Sequence, residues 1–162
     1  METCGFTCSG ALRGAMALAT GGLKTLKELA MECVRGEFAV VDDGCSAAVV
    51  GDETVRAMEA ASGISFEQEP VNVQYAFGNG SALGLYRIRI PLVYGEVRHE
   101  MLVDVVEGCL PLLLGRGYQV AIRAKVDHGI GEVGISTDGG GLVKVPLTEL
   151  GSGHWMVPLR WD

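Results

Sequence analysis

The segment FAVVDDGCSAAVVG, residues 38–51, has the pattern from which the rest of the chain can be interpreted. Two short apolar runs, residues 38–41 and 47–50, flank the polar turn DDGCS. The first residue of this turn is Asp42, and an ionised carboxylate at the end of a buried strand loses solvation. Folded chains keep this arrangement mainly for functional sites, although an aspartate that caps a tight turn is the alternative explanation. The segment therefore predicts two strands joined by a turn that presents a candidate functional carboxylate.

Downstream of this segment the sequence predicts one helix and then a long hairpin. Residues 52–61 place apolar side chains on one face and acidic residues in the first turn, as is typical of a helix. Residues 71–77 alternate apolar and polar side chains with the period of two that indicates a strand. The sequence GNGS at 78–81 is a strong hairpin signal, and residues 83–92 are the predicted returning strand.

The last part of the chain predicts further short strands. Residues 97–106 form a strand after a turn at 94–96, and residues 110–114 form a buried apolar run that Gly115 closes. The remaining predicted elements are a short helix and two hairpin turns, at residues 117–124, 128–129 and 138–141. Short strands at this spacing, separated by turn signals, indicate an all-β fold, either a sandwich or a closed barrel, with few short helices.

Residues 1–36 differ from the all-β domain that follows at 37–162. Residues 11–20 are small and apolar, and residues 23–34 place apolar side chains at the i, i+3, i+4, i+7 spacing of an amphipathic helix. We therefore expect a partly helical N-terminal extension that packs on or connects to the domain. The first residues carry Glu2 rather than a basic cluster, which argues against a secretory signal.

Composition and charge limit the possible function classes. Hydrophobic residues make up 48% of the 162 residues, which is enough to build a folded core in one domain. The chain has 13 basic and 20 acidic residues, a net charge of −7, with no cluster of Lys or Arg. This charge argues against binding to nucleic acid or to an anionic membrane surface.

The cysteines predict a reduced, intracellular protein rather than a disulfide framework. Their number is odd and their spacing irregular, at Cys4, Cys8, Cys33, Cys45 and Cys109. Cys4 and Cys8 could begin a zinc site, but the three histidines are far downstream and show no ligand spacing. We therefore expect no metal site and no cofactor, and a cytoplasmic location.

Three features occur in a fixed order along the chain: Asp-x-Gly at 42–44, the hairpin tip FGNG at 77–80, and LLLG at 112–115. Around them stand the longer sequences VVDDGCSAAVVG, FGNGSALG, VDVVEGCLPLLLGRGYQVA and SGHWMVPL. With these motifs the chain resembles the retropepsin-like aspartic proteases and, within that group, the copia-type retrotransposon proteases. The resemblance covers residues 37–159. It implies a retropepsin-like fold with a flap hairpin.

The resemblance also assigns residues to a site, in which Asp42 is the catalytic residue. The other assigned residues belong to an active-site loop, a flap that binds substrate, and a supporting strand of the core: Asp43, Gly44, Cys45 and Ser46; Phe77, Gly78, Asn79 and Gly80; Leu113, Leu114 and Gly115.

A single chain of this family supplies one catalytic aspartate, so the resemblance implies a homodimer with two Asp42 carboxylates facing each other across a two-fold axis. Two carboxylates held this close cannot both ionise at low cost, so they share one proton. The ionised carboxylate activates a water, and the protonated one polarises the scissile carbonyl of a polypeptide substrate. The flap closes over the extended peptide and excludes water. The implied activity is that of an aspartic endopeptidase.

Asp43 departs from the family pattern, which has Thr or Ser at the middle position of this motif. In the family that hydroxyl joins a hydrogen-bond lattice between the two active-site loops of the dimer, whereas an ionised Asp has no donor. A dimer would also gather four carboxylates in a small volume, which predicts weaker dimerisation at neutral pH. The alternative function is therefore a catalytically inactive domain of the same fold that dimerises or binds peptides.

Overall fold

The computed structural model describes residues 2–3, 36–77, 80–149 and 153–162. Three expectations from the sequence lie outside these residues, and they concern the helix at 23–34, the pair Cys4 and Cys8, and the hairpin tip at 78–79.

The described residues form thirteen strands and two helices. The strands are β1 (Glu2–Thr3), β2 (Phe38–Val41), β3 (Val49–Gly51), β4 (Gln68–Glu69), β5 (Gln74–Phe77), β6 (Gly80–Tyr94), β7 (Val97–Val106), β8 (Leu113–Leu114), β9 (Lys125–Asp127), β10 (Glu132–Ser136), β11 (Leu142–Pro146), β12 (Thr148–Glu149) and β13 (Trp155–Pro158). The helices are α1 (Asp52–Ser62) and α2 (Arg116–Ala121). No helix in the described part of the chain has the length and apolar character needed to span a membrane.

Most strands belong to one large sheet. Its strands pair in the order β1, β5, β6, β7, β3, β8, β2, β13, β12, and β4 pairs with β6 at one side. A second sheet has the order β11, β10, β9. A mostly β fold with few helices is therefore confirmed. The path of pairing runs from β1 to β12 without closing on itself within the described residues, so the closed barrel is not observed there.

The predicted elements differ from the observed ones mainly at their boundaries. The strand expected at residues 47–50 begins only at Val49, and the apolar run at 110–114 contributes only the two residues of β8. The backbone just before β8 is used in other ways, because the Leu110 carbonyl accepts from Gly51 N–H at 2.8 Å. Local propensity cannot anticipate this use, since it depends on which distant segment supplies the donor.

The larger apolar core lies beneath the central strands. β6 and β7 alternate with the period of two, and their inward side chains are completely or almost completely buried: Ile88, Ile90, Leu92, Tyr94, Met101, Val103 and Val105. α1 covers this core with Val55 and Met58. The same strands direct polar side chains away from the core, and these side chains reach the site described next.

The first turn of α1 is attached to the segment that leads into β8. The Asp52 carboxylate accepts a hydrogen bond from Gly108 N–H at 2.7 Å, and Glu53 N–H donates to the Gly108 carbonyl at 3.1 Å. The hydrogen bond from Gly108 lowers the pKa of Asp52 below its usual value. The helix thereby holds one end of the segment that supports the candidate site.

Candidate active site

Asp42 follows directly after β2, which lies between β8 and β13. Its backbone N–H donates to the Leu114 carbonyl at 3.2 Å, so the neighbouring strand fixes the position of the residue. The Asp42 side chain is only 5% exposed, and its Oδ1 accepts a hydrogen bond from Gly44 N–H at 2.9 Å. The carboxylate is thus held in one orientation at the end of a buried strand.

The turn after Asp42 places its residues in different environments. Cys45 N–H donates to the Asp42 carbonyl at 3.2 Å, which closes the turn. Asp43, Gly44 and Ser46 are exposed, whereas Cys45 is buried and its thiol donates to the Ala47 carbonyl at 3.0 Å. The Cys45 sulfur therefore acts as a packing group inside the loop.

Gly115 braces this loop by direct backbone contact. A Cβ atom at this position would lie 2.2 Å from the Ala47 carbonyl oxygen, a distance that only glycine avoids. Two backbone hydrogen bonds join the same two segments. Arg116 N–H donates to the Cys45 carbonyl at 2.8 Å, and Gly117 N–H donates to the Ser46 carbonyl at 3.0 Å. The loop after Asp42 is therefore fixed by the backbone of residues 115–117.

The predicted hairpin is formed by β5 and β6, with Phe77 opposite Gly80. Its side chains Tyr75, Phe77 and Ala82 belong to a second apolar cluster, separate from the larger core. This cluster also contains Cys45 of the loop and Leu113 of β8. The structure thus brings the three sequence motifs together.

Not every residue assigned from the sequence takes part in this convergence. Gly78 and Asn79, at the tip of the hairpin, lie outside the described residues. The Leu114 side chain packs into the larger core instead of the second cluster, while its carbonyl accepts the hydrogen bond from Asp42 N–H. The Asp43 backbone carbonyl accepts a hydrogen bond from the Arg116 guanidinium at 3.3 Å.

Sequence reasoning missed a buried polar network next to the loop. The Asp104 side chain is 4% exposed and accepts from the Tyr75 hydroxyl at 2.5 Å. Arg87 donates to both oxygens of the same carboxylate, from Nε at 2.6 Å and from Nη2 at 3.1 Å. The hydrogen bond to Asp104 raises the pKa of Arg87. The signal in the sequence was an aspartate standing among valines, Val103 and Val105, in a strand that is otherwise buried there.

Arg87 and Asp104 also line a cleft of about 350 Å³ beside the loop. Ser46, Ala47 and Ala48 form the loop side of this cleft. The network therefore borders the residues that follow Asp42, and its partners come from three different strands.

His99 lies in a separate aromatic cluster. Its Nε2 is within hydrogen-bond reach of the Tyr118 hydroxyl, and its ring stacks on Tyr94 at 5.9 Å between centroids. Burial lowers the pKa of His99. Within the described residues the other ring nitrogen, Nδ1, is buried with no hydrogen-bond partner. The ring thus packs among tyrosines as part of the interior.

No group of three or more His, Cys, Asp or Glu side chains in the described ranges is arranged to hold a metal ion.

No protein-family model and no curated protein matches the chain. Among solved structures, the chain is similar to the retroviral protease-like domain of Ddi1 from Leishmania major. The identity is 18% and the TM-score is 0.45, over 67% of this chain and 83% of that one. At this level the likeness does not determine the function, which we infer from the residues of the chain itself.

Proposed function

We propose that the chain is a retropepsin-like aspartic endopeptidase that works as a homodimer and uses Asp42 of each protomer as the catalytic pair. The observation that carries this proposal is the convergence of three motifs distant in sequence. The Asp42 N–H is hydrogen-bonded to the Leu114 carbonyl of β8. Tyr75 and Phe77 of the hairpin belong to the same apolar cluster as Cys45 of the loop. The motifs favour the copia-type proteases within this group, with residues 37–162 as the proteolytic domain.

The geometry suits hydrolysis of a peptide bond by an activated water. One Asp42 carboxylate of the pair takes a proton from the water as its oxygen adds to the scissile carbonyl carbon. The other, protonated, carboxyl group donates a hydrogen bond to the carbonyl oxygen, and the C–N bond then breaks as the amine gains a proton. The contact from Gly44 N–H keeps the carboxylate oriented without a mobile side chain. The mechanism needs neither metal nor cofactor.

The β5 edge of the hairpin supports a polypeptide substrate. β1 pairs with this edge in parallel, with Glu2 opposite Tyr75 and Thr3 opposite Ala76. This pairing shows that the edge can bind an extended segment, and a polypeptide substrate would pair there in place of β1. We therefore propose that the hairpin is the flap, that Phe77, Gly78, Asn79 and Gly80 contact the substrate backbone, and that the enzyme acts inside the cell.

The test is cleavage of denatured casein across about pH 4–7. We expect the wild type to cleave and Asp42→Asn to lose at least about 1,000-fold in rate, since removing a member of a catalytic pair abolishes its function as a unit. Asp138→Asn, an equivalent change at an exposed turn, serves as the control and should retain full activity. Cleavage that persists in Asp42→Asn would refute the mechanism.

A second function is favoured by one observation, the exposed Asp43 in place of the family's hydroxyl residue. In this alternative the chain is a catalytically inactive domain that dimerises or binds peptides. A wild type that is folded and dimeric by analytical ultracentrifugation but cleaves no casein at any pH would favour it over the endopeptidase.

A further inference from the structure

We infer that Asp104 is a positioning residue, which, through Tyr75 and Arg87, fixes the β5–β6 hairpin over the loop that carries Asp42. This inference rests on the proposed function, because it gives the hairpin the role of the flap. It concerns residues that the resemblance assigned to no part of the site.

Asp104 connects the two sides of the site by its backbone and its side chain. Its N–H donates to the Ala48 carbonyl at 3.1 Å, at the end of the loop that begins with Asp42. Its carboxylate accepts from Tyr75 on β5 and from Arg87 on β6, which are the two strands of the hairpin. One residue of β7 is thus bonded to the loop and to both hairpin strands.

Tyr75 reaches Asp104 without being its neighbour in the sheet. β5 pairs with β6, and β6 pairs with β7, so the tyrosine side chain must extend across β6 to reach the carboxylate. Tyr75 is completely buried, and its ring packs in the same cluster as Cys45. A rotation of the hairpin relative to the loop would therefore break the hydrogen bond between Tyr75 and Asp104.

The network of Asp104, Tyr75 and Arg87 is better explained by the orientation that it gives to the strands than by a gain in stability. The ion pair between the partly exposed Arg87 and the buried Asp104 contributes little net stability, because the desolvation of the carboxylate offsets the attraction, and well-packed apolar residues are often equally stable. Val106, two residues along β7 and therefore on the same face as Asp104, is buried, which shows that this face accommodates apolar side chains. The directional hydrogen bonds to a carboxylate instead select one arrangement of the strands.

The hairpin needs such a constraint. β5 has only four residues, and an isolated two-stranded hairpin is marginally stable in water. The hydrogen bonds to Asp104 hold β5 and β6 in one position relative to the loop that carries Asp42. Loss of the constraint should weaken substrate binding more than the chemical step, which takes place at Asp42.

The test compares Tyr75→Phe with Tyr86→Phe, a removal of one hydroxyl on the adjoining strand that leaves the network intact. In Tyr75→Phe we expect amide hydrogen exchange at residues 74–77 to accelerate about tenfold, which corresponds to one lost hydrogen bond. Exchange in β2 and β7 should stay unchanged. With casein as substrate, KM should rise about fivefold while kcat stays within about twofold. Tyr86→Phe should match the wild type in both measurements.

Two results would overturn the inference. One is equal exchange at residues 74–77 in the two variants, and the other is an increase spread over all strands, which would indicate general destabilisation. The exchange measurement does not depend on catalysis. A wild type that cleaves no casein would therefore refute the proposed protease, while exchange still decides whether Asp104 fixes the hairpin.

Discussion

The loop that carries Asp42 and the hairpin that covers it form two sides of one site, but different parts of the chain hold them. The loop is fixed by backbone contacts, of which the approach of Gly115 to Ala47 is the tightest. The hairpin has, besides its backbone pairing in the sheet, a side-chain network through the carboxylate of Asp104. Backbone contacts leave the loop little freedom to move, whereas side-chain hydrogen bonds can break and re-form and so allow the hairpin more movement. The comparison therefore sets a loop held by backbone contacts against a hairpin held in part by side chains.

Gly115→Ala gives the largest expected effect, because the added Cβ would meet the backbone of Ala47 and neither backbone segment can yield easily. We expect the free energy of unfolding to fall by about 3 kcal/mol, the upper range for overpacking in a core. Urea denaturation measures this change. Gly139→Ala is the control, since the nearest atom to its Cβ would be 3.9 Å away, and it should be nearly neutral. A neutral Gly115→Ala would show that the loop is not braced by this contact.

Arg87→Gln tests the hairpin side of the comparison. In this variant the buried Asp104 carboxylate keeps the Tyr75 hydroxyl as a hydrogen-bond donor but loses its cationic partner. We expect the free energy of unfolding to fall by about 2 kcal/mol. Urea denaturation should show this loss in the free energy of unfolding, and amide hydrogen exchange at residues 74–77 should be faster than in the wild type. Arg89→Gln lies two residues away and removes an exposed pair with Glu69, so it should leave the free energy of unfolding nearly unchanged. Equal losses in the two variants would remove the distinction between the buried network and a surface ion pair.

Asp52→Asn gives the smallest expected effect and concerns the segment that supports the loop from behind. The hydrogen bond from Gly108 N–H lowers the pKa of Asp52 in the folded chain. A carboxyl group with a lowered folded pKa stabilises the fold above its unfolded pKa, and this contribution is lost as the pH falls through the folded value.

The variant should therefore be less stable than the wild type by roughly 0.5 kcal/mol at pH 7, a modest value because the site is partly exposed. The difference should shrink below about pH 4. Thermal unfolding at both pH values measures it. Glu53→Gln removes another acid from the same turn of α1 and isolates the effect of helix charge from that of the Gly108 bond. A difference that grows on acidification would have the wrong sign for this explanation.

The site could be predicted from the sequence where its parts are continuous in the chain. Asp42 at the end of an apolar run, and the hairpin signal at 78–81, are local patterns. The alternation of residues 71–77 predicted a strand, because a strand has a period of two, and β5 lies within that range. The boundaries of β3 and β8 were less accurate, since they depend on hydrogen bonds from distant segments.

The sequence by itself determined a mostly β chain with Asp42 in a tight turn, because periodicity and turn residues act over short distances. Only the tertiary structure decided what stands next to that turn. Tyr75 is 29 residues from Asp104 and Arg87 is 17 residues from it, and no local pattern pairs them. Their meeting depends on the register of β6 against β7 and on a side chain that crosses a strand. The polar group that holds the hairpin is therefore a property of the fold.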